Sequence, residues 1–287
     1  MKRIVTIQDI SCLGKCSITV ALPIISAMGV ETAILPTAVL STHTQFSGFT
    51  VKDLQDQIKP ISAHWKKENF HFDAIYTGYL ASREQIQLVS DFFDDFNEQD
   101  TLLFVDPAMA DNGKLYVGFP EDFPKSMSTL CGKADIIVPN LTEACLMTGT
   151  EYKTEYDEKY IQEILNKLAA LGTKKAVVLT GVSPEKDKTG VYGLYVETGK
   201  YFGFSHEKLA VSFHGTGDVF SSTAVGALER GRSLEESLNI AARFTVNSIK
   251  ETLKNDPEKT YGVDFEAVFP LLLQDLNAKK MLIAHED

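Results

Sequence analysis

ADIIVPNLTEACLMTG (134–149) begins a unit that closes with KKAVVLTG (174–181), two apolar strand-like runs with a helix-patterned stretch over 156–171 between them. Strand, crossover helix and strand in that order make a βαβ unit, whose strands lie parallel in one sheet. The same alternation recurs outward from it. Strand-like runs stand at KRIVTIQ (2–8), ETAILPTAVL (31–40), HFDAIYTG (71–78) and DTLLFVDP (100–107), and a patterned helix covers 82–97. Near 190–204 the pattern changes to GVYGLYVETGKYFGF, two aromatic-rich runs about Glu197-Thr198-Gly199-Lys200, which predicts a β-hairpin. Helical patterns fill most of the rest, over 216–229, 234–253 and 263–273. The expected class is therefore α/β, with a mostly parallel central sheet and helices on both faces.

No repeat, low-complexity tract or linker divides the chain, and 287 residues at 44% hydrophobic content can bury one core. A single domain over 1–287 is expected. The apolar run after Met-Lys-Arg is cut by Asp9, which predicts no export signal. The uncharged stretch from Thr32 to Val51 carries Pro36, His43, Gln45 and Gly48 and does not read as a membrane helix. Four cysteines (Cys12, Cys16, Cys131, Cys145) without secretory context read as reduced thiols, and the expected compartment is the cytoplasm. A net charge of −11 argues against a broad nucleic-acid surface. Any anionic ligand must then be held by main-chain N–H groups, a metal ion or a few cations.

In an open parallel sheet ligands bind beyond the carboxyl ends of the strands. Asp9, Ser41 to Thr44, Thr77-Gly78-Tyr79, Asp106-Pro107, Asn140 and Thr180-Gly181 occupy those places. In SFHGTGDVFSSTAVGALERG (212–231) a glycine-rich turn opens a helix. Gly215 and Gly217 let the backbone approach a ligand, and first-turn N–H groups welcome an anion such as phosphate. Asp218 stands beside them, where it can accept a proton from an attacking alcohol. An ordinary turn whose acid suits the helix dipole accounts for the same residues. In VDPAMADNGKLY (105–116), Asp106 and Asp111 flank a strand end, as Mg²⁺ ligands or as solvated acids of a turn. Glu143 falls early in the helix after Asn140, as a capping-box acid or an outer-shell metal ligand. His43, Thr44 and Tyr79 offer a stacking face and donors for a flat polar ligand, although a loop histidine is more often solvated and a tyrosine there more often packing.

Taken in order, IQD, GKCS, STHTQ, TGYL, DPAMADNG, PNLTEA and HGTGDVF resemble the pyridoxal and pyridoxamine (vitamin B6) kinases of the ribokinase superfamily, from about Ile4 to about Gly231. The resemblance implies a ribokinase-like fold and transfer of the γ-phosphate of ATP to the vitamer's 5′-hydroxymethyl group. Gly215, Thr216 and Gly217 match the family's anion hole and Asp218 its catalytic base. Asp106 and Glu143 match the acids that organise Mg²⁺, and Asp111 the acid near the transferring phosphate. Asn140 and Thr180 fall where the triphosphate binds. His43, Thr44 and Tyr79 fall on the pyridine pocket, with Asp9 and Cys16 beside them. A homodimer is implied, and room is left for a monovalent cation.

There are departures. Asp9 stands where many such kinases carry serine, GKCS (14–17) replaces a GxxG-like pattern, and AMAD replaces the frequent VMGD or VLGD. An acid at Asp9 suits a protonated pyridine nitrogen or the amine of pyridoxamine. The nearest rival, a hydroxymethylpyrimidine kinase, usually has cysteine where Asp218 stands and lacks an HTQ segment of this kind. A sugar kinase would need acids and amides for several hydroxyls, and a non-catalytic sensor would not need Asp218 together with both glycines. Neither GxxxxGK[ST] nor a protein-kinase catalytic loop is present.

Overall fold

The computed structural model describes residues 1–209, 211, 213–256, 258 and 261–278; Ser212, at the head of the glycine-rich segment, lies outside them. In chain order the elements are β1 (Arg3–Leu13), α1 (Ile18–Ala27), β2 (Glu31–Thr42), β3 (Val51–Asp53), α2 (Gln55–Lys67), β4 (Ala74–Thr77), α3 (Arg83–Phe96), β5 (Leu102–Val105), β6 (Ala110–Asp111), β7 (Lys114–Leu115) and α4 (Phe123–Cys131). They continue with β8 (Ile136–Ile137), α5 (Leu141–Thr148), α6 (Glu158–Ala169), β9 (Ala176–Thr180), β10 (Lys188–Tyr195), β11 (Tyr201–Glu207), α7 (Thr216–Glu229), α8 (Leu234–Asn255), a 3₁₀ turn (Phe265–Val268) and α9 (Phe269–Asn277).

A nine-stranded sheet runs in the order β11-β10-β9-β8-β5-β4-β1-β2-β3. Its six central strands, β9 to β2, are parallel, and the strands beyond them at both edges pair antiparallel. Helices cover both faces. Val5, Ile75, Leu103 and Val177 point into one core with residues of α3, α4, α5 and α6. Their neighbours Ile4, Ala74, Phe104 and Val178 point the other way, against α1, α7 and α8. Burial on both sides is why these strands read as continuous apolar runs and not as alternating ones. Among the described residues no helix is long and apolar enough to cross a membrane.

Three local features differ from the sequence expectation. The first strand does not stop at Gln8: β1 continues to Leu13, and its pairing with β2 jumps from Gln8↔Pro36 to Ile10↔Val39. Asp9 sits at that irregularity, so it lies within the strand and is buried. The sequence pattern also singles out neither α1 nor α2, because each carries an internal proline, Pro23 and Pro60, and α1 has no charged residue to mark an outer face. The helix expected over 263–273 divides at Phe269, where Pro270 starts α9 and the residues before it form the 3₁₀ turn.

Candidate active site

Gly215 precedes α7 in the left-handed conformation, φ 79°. A side chain there would be strained and its Cβ would run into the Lys15 carbonyl oxygen, so glycine is required on both counts. Thr216 anchors the turn by donating its hydroxyl to the Phe213 carbonyl at 3.1 Å. Gly217 is exposed, which leaves the first-turn N–H groups of α7 open to a ligand. The Cβ that Gly217 lacks would lie 4.0 Å from Asp106 Oδ2, so helix start and strand end face each other.

Around that meeting point the structure gathers acids. Asp106, directly after β5, is 7% exposed and accepts the Ser221 hydroxyl at 2.6 Å. Burial pushes its pKa up to about 6, and the Ser221 bond opposes the rise. Glu143 is 3% exposed. Its Oε2 accepts the Asn140 N–H at 2.8 Å and its Oε1 the Met109 N–H at 3.1 Å, while the Asn140 side chain accepts the Glu143 N–H at 3.0 Å. That is a complete capping box. Burial first, then the charge of Asp106, holds Glu143 well above the usual carboxylate range. Asp218, in the first turn of α7, is pushed up to about 8 by desolvation, then by the field of Asp106; the Ser17 N–H opposes the rise, and the charge of Asp9 adds a little. Beyond Glu143, Thr180 bridges to Asn140 across the strand ends. The Asn140 amide donates to the Ala110 carbonyl at 2.8 Å, tying β6 to α5.

On the other side of Asp218 a second group of residues gathers around Asp9. Buried Asp9 accepts hydroxyls from Ser17 at 2.6 Å and Ser11 at 3.1 Å, and burial raises its pKa despite them. Burial, then the charges of Asp218 and Asp9, pushes the buried Cys16 thiol far up, so it is a packing group and not a thiolate. Tyr79 is half-buried with its ring 5.5 Å from Phe119, and burial and Asp9 push its phenol up to about 12. His43 is 2% exposed and packs its ring 4.8 Å from Phe46 and 4.1 Å from His214. Burial lowers the pKa of His43, and His214, pushed down to about 4 by burial and then by His43, is neutral too. His43 Nε2 is buried without a hydrogen-bond partner.

Asp218, Asp106, Glu143 and the glycine turn thus form one centre, with Asn140 and Thr180 on one flank and Asp9, Cys16, Tyr79 and His43 on the other. Thr44 is exposed on a loop, and Asp111 is exposed at the end of β6. Asp111 accepts the Asn112 N–H and side-chain amide at 2.8 and 2.9 Å, which shapes the β6–β7 turn. Sequence reasoning missed Ser221, Ser17 and His214. Ser221 was within reach, since it lies three residues after Asp218 on the same helix face. His214 carried a signal too, in its place next to Gly215; Ser17 carried none.

Residues 18–262 match the family described as phosphomethylpyrimidine kinase. The crystal structure of a candidate phosphomethylpyrimidine kinase from Bacteroides thetaiotaomicron superposes with a TM-score of 0.91 at 39% identity, covering 98% of this chain and 96% of that one. An orthorhombic form of the same description, with pyridoxal, gives 0.90 at 38%, covering 98% and 97%. Pyridoxal kinase from Lactobacillus plantarum superposes at 0.87 with 32% identity, over 96% of this chain and 97% of that one. A candidate pyridoxal kinase from Caenorhabditis elegans is 28% identical over 202 residues, 69% of this chain and 60% of that protein, so the match spans less than two thirds of that relative's length.

Proposed function

Because this chain belongs to the phosphomethylpyrimidine kinase family and aligns along nearly its whole length with a pyridoxal kinase of the ribokinase superfamily, we propose that it transfers the γ-phosphoryl group of ATP to the 5′-hydroxymethyl group of pyridoxal, pyridoxamine and pyridoxine. The observation that carries this reading is the placement of Asp218 at the open start of α7, facing the buried acids at the end of β5 and the start of α5. A loose phosphoryl-transfer transition state needs charge neutralisation and in-line positioning more than covalent help. The N–H groups of Thr216, Gly217 and Asp218 supply the first for the transferring phosphoryl oxygens. Asp218 takes the hydroxymethyl proton as the oxygen attacks.

Asp106 and Glu143 suit Mg²⁺. Two buried carboxylates with raised pKa values form a centre that a divalent cation relieves, and Mg²⁺ keeps several waters and needs few protein ligands. Both Glu143 oxygens already hold main-chain N–H groups, so Asp106 serves as the direct ligand and Glu143 acts through water. Bound there, the ion would neutralise the acids and the ATP phosphates. Asn140 and Thr180 line the triphosphate side, with Asp111 at the end of β6, the strand that the Asn140 amide ties to α5. His43, Thr44, Tyr79, Asp9 and Cys16 form the ring side. The residues 1–287 act as one catalytic unit, as a homodimer in the cytoplasm, with room for a monovalent cation.

The family description favours one second reading, a hydroxymethylpyrimidine kinase. A coupled ADP-release assay with pyridoxal, pyridoxamine, pyridoxine and hydroxymethylpyrimidine side by side separates the two. Preference for the B6 vitamers is expected; turnover confined to the pyrimidine would replace this reading with the second.

A further inference from the structure

A hydroxyl inside a helix commonly turns back on its own chain and bonds the carbonyl four residues earlier. In α7 and α8, Thr223, Thr245, Ser248 and Thr252 all do so, at 2.7 or 2.8 Å. Ser221 does not. Its hydroxyl leaves α7 and donates to Asp106 Oδ2 at 2.6 Å, across 115 residues of chain. Both residues are buried, Ser221 to 1% exposure. Gly217, one turn earlier on the same face of α7, would bring a Cβ to 4.0 Å from that same oxygen. The main chain of Asp106 is fixed on other grounds. Its N–H donates to the Thr77 carbonyl at 2.9 Å, and Pro107 after it favours extended backbone. Its carboxylate has no such support. Among the described residues Ser221 makes the one hydrogen bond to it, whereas main-chain N–H groups hold both oxygens of Glu143.

We propose that Ser221 is a positioning residue for the metal: its hydroxyl fixes the rotation of the Asp106 carboxylate and holds it against α7, the helix that carries the glycine turn and Asp218. A carboxylate free to turn about its own bonds must be ordered each time the ion binds, and the bond from Ser221 orders it beforehand. The same bond keeps the metal acid and the base on one rigid element. A tie between α7 and β5 that served packing alone would use the same atoms, and it differs in what its loss changes. The inference rests on the kinase reading above, in which Asp106 is the direct Mg²⁺ ligand, and adds a residue to it.

The test compares wild type with Ser221→Ala, Ser221→Cys and Ser222→Ala at pH 8, by ADP release with a vitamer and by thermal melting with Mg²⁺ added and no nucleotide present. Ser222 is the control. It is fully buried at the next position of α7 and its hydroxyl has no partner, so Ser222→Ala removes a hydroxyl from the same helix and leaves the bond to Asp106. Ser221→Ala should melt below wild type in the absence of metal. It should also need roughly ten- to hundredfold more Mg²⁺ both for its half-maximal rate and for half of its Mg²⁺-induced rise in Tm, with the KM for the vitamer unchanged. Ser221→Cys keeps the size of serine with a weaker donor, should fall between the two, and carries the test should Ser221→Ala not fold. Ser222→Ala should keep the Mg²⁺ dependence of wild type. A Ser221 variant with lowered Tm and wild-type Mg²⁺ dependence would make the bond a packing tie, and an equal change in Ser222→Ala would make the effect one of the whole helix; either overturns the proposal, as does a wild type whose Tm does not respond to Mg²⁺. A wild type that phosphorylates neither a vitamer nor hydroxymethylpyrimidine would overturn the kinase reading, and the proposal with it; an active wild type with unaffected Ser221 variants overturns the proposal alone.

Discussion

Asp218 holds its place against its own electrostatics. Its carboxyl is pushed up to about 8 by desolvation and by Asp106, so the folded chain retains a proton there that an unfolded chain releases near pH ~4. A carboxyl with a raised folded pKa contributes stability below its unfolded value and loses it as pH rises through the folded one. Asp218→Asn keeps the shape and removes the charge. Its Tm should therefore exceed that of wild type at pH 8 to 9, with the difference shrinking toward pH 4. Its kcat should fall by ~10²–10⁴-fold with little change in KM, the usual share of a general base. Normal turnover with lowered stability would make Asp218 a helix-dipole acid and nothing more. On the ring side, His43→Ala and Tyr79→Ala should raise the KM for the vitamer and leave that for ATP unchanged. Steady-state kinetics with each substrate varied in turn checks this, and a shift confined to ATP would reverse the two ends of the cleft.

At the scale of elements, the start of α5 performs two tasks with one side chain. Glu143 closes the capping box with Asn140 and also faces Asp106. Glutamine can fill the same capping position, so Glu143→Gln separates the tasks. The variant should fold as wild type, and the Mg²⁺ concentration for half-maximal rate should rise roughly ten- to hundredfold, as for loss of other second-layer metal partners. Titration of activity with Mg²⁺ checks it; unchanged Mg²⁺ dependence would leave Glu143 as a cap alone. The start of α7 shows the complementary arrangement. Gly215 provides no side-chain cap, and the uncapped N–H groups are what a phosphate can use.

For the whole molecule, the acids at the centre set how stability depends on pH and metal. Asp106, Glu143 and Asp218 all have raised pKa values, so between pH ~4 and ~8 these three acids hold more protons in the folded chain than in the unfolded one, and the stability they contribute is lost as pH rises. Mg²⁺ favours the ionised forms, and its stabilisation should grow with pH. Differential scanning fluorimetry should show a clear rise in Tm on adding Mg²⁺ at pH 8 and a much smaller one at pH 5. Equal shifts at both would place the metal away from these acids.

The sequence alone determined the α/β class, the hairpin and the glycine turn with its acid, because each rests on local causes: apolar runs closed by turn residues, paired strand patterns, and small residues ahead of a helix. It also brought Asp106, Asn140 and Thr180 to one edge, since strand ends in a parallel sheet share an edge. Only the tertiary structure decided that Asp9 lies inside β1, because a jump in pairing against β2 is a property of two strands and not of one. Only it showed α1 and α2, whose prolines and, in α1, lack of polar pattern hide helices stabilised by packing. Contacts such as Ser221 with Asp106, or Ser17 with Asp9, join side chains whose proximity is set by how α7 and the 14–17 loop pack over the sheet, and no local pattern carries that distance.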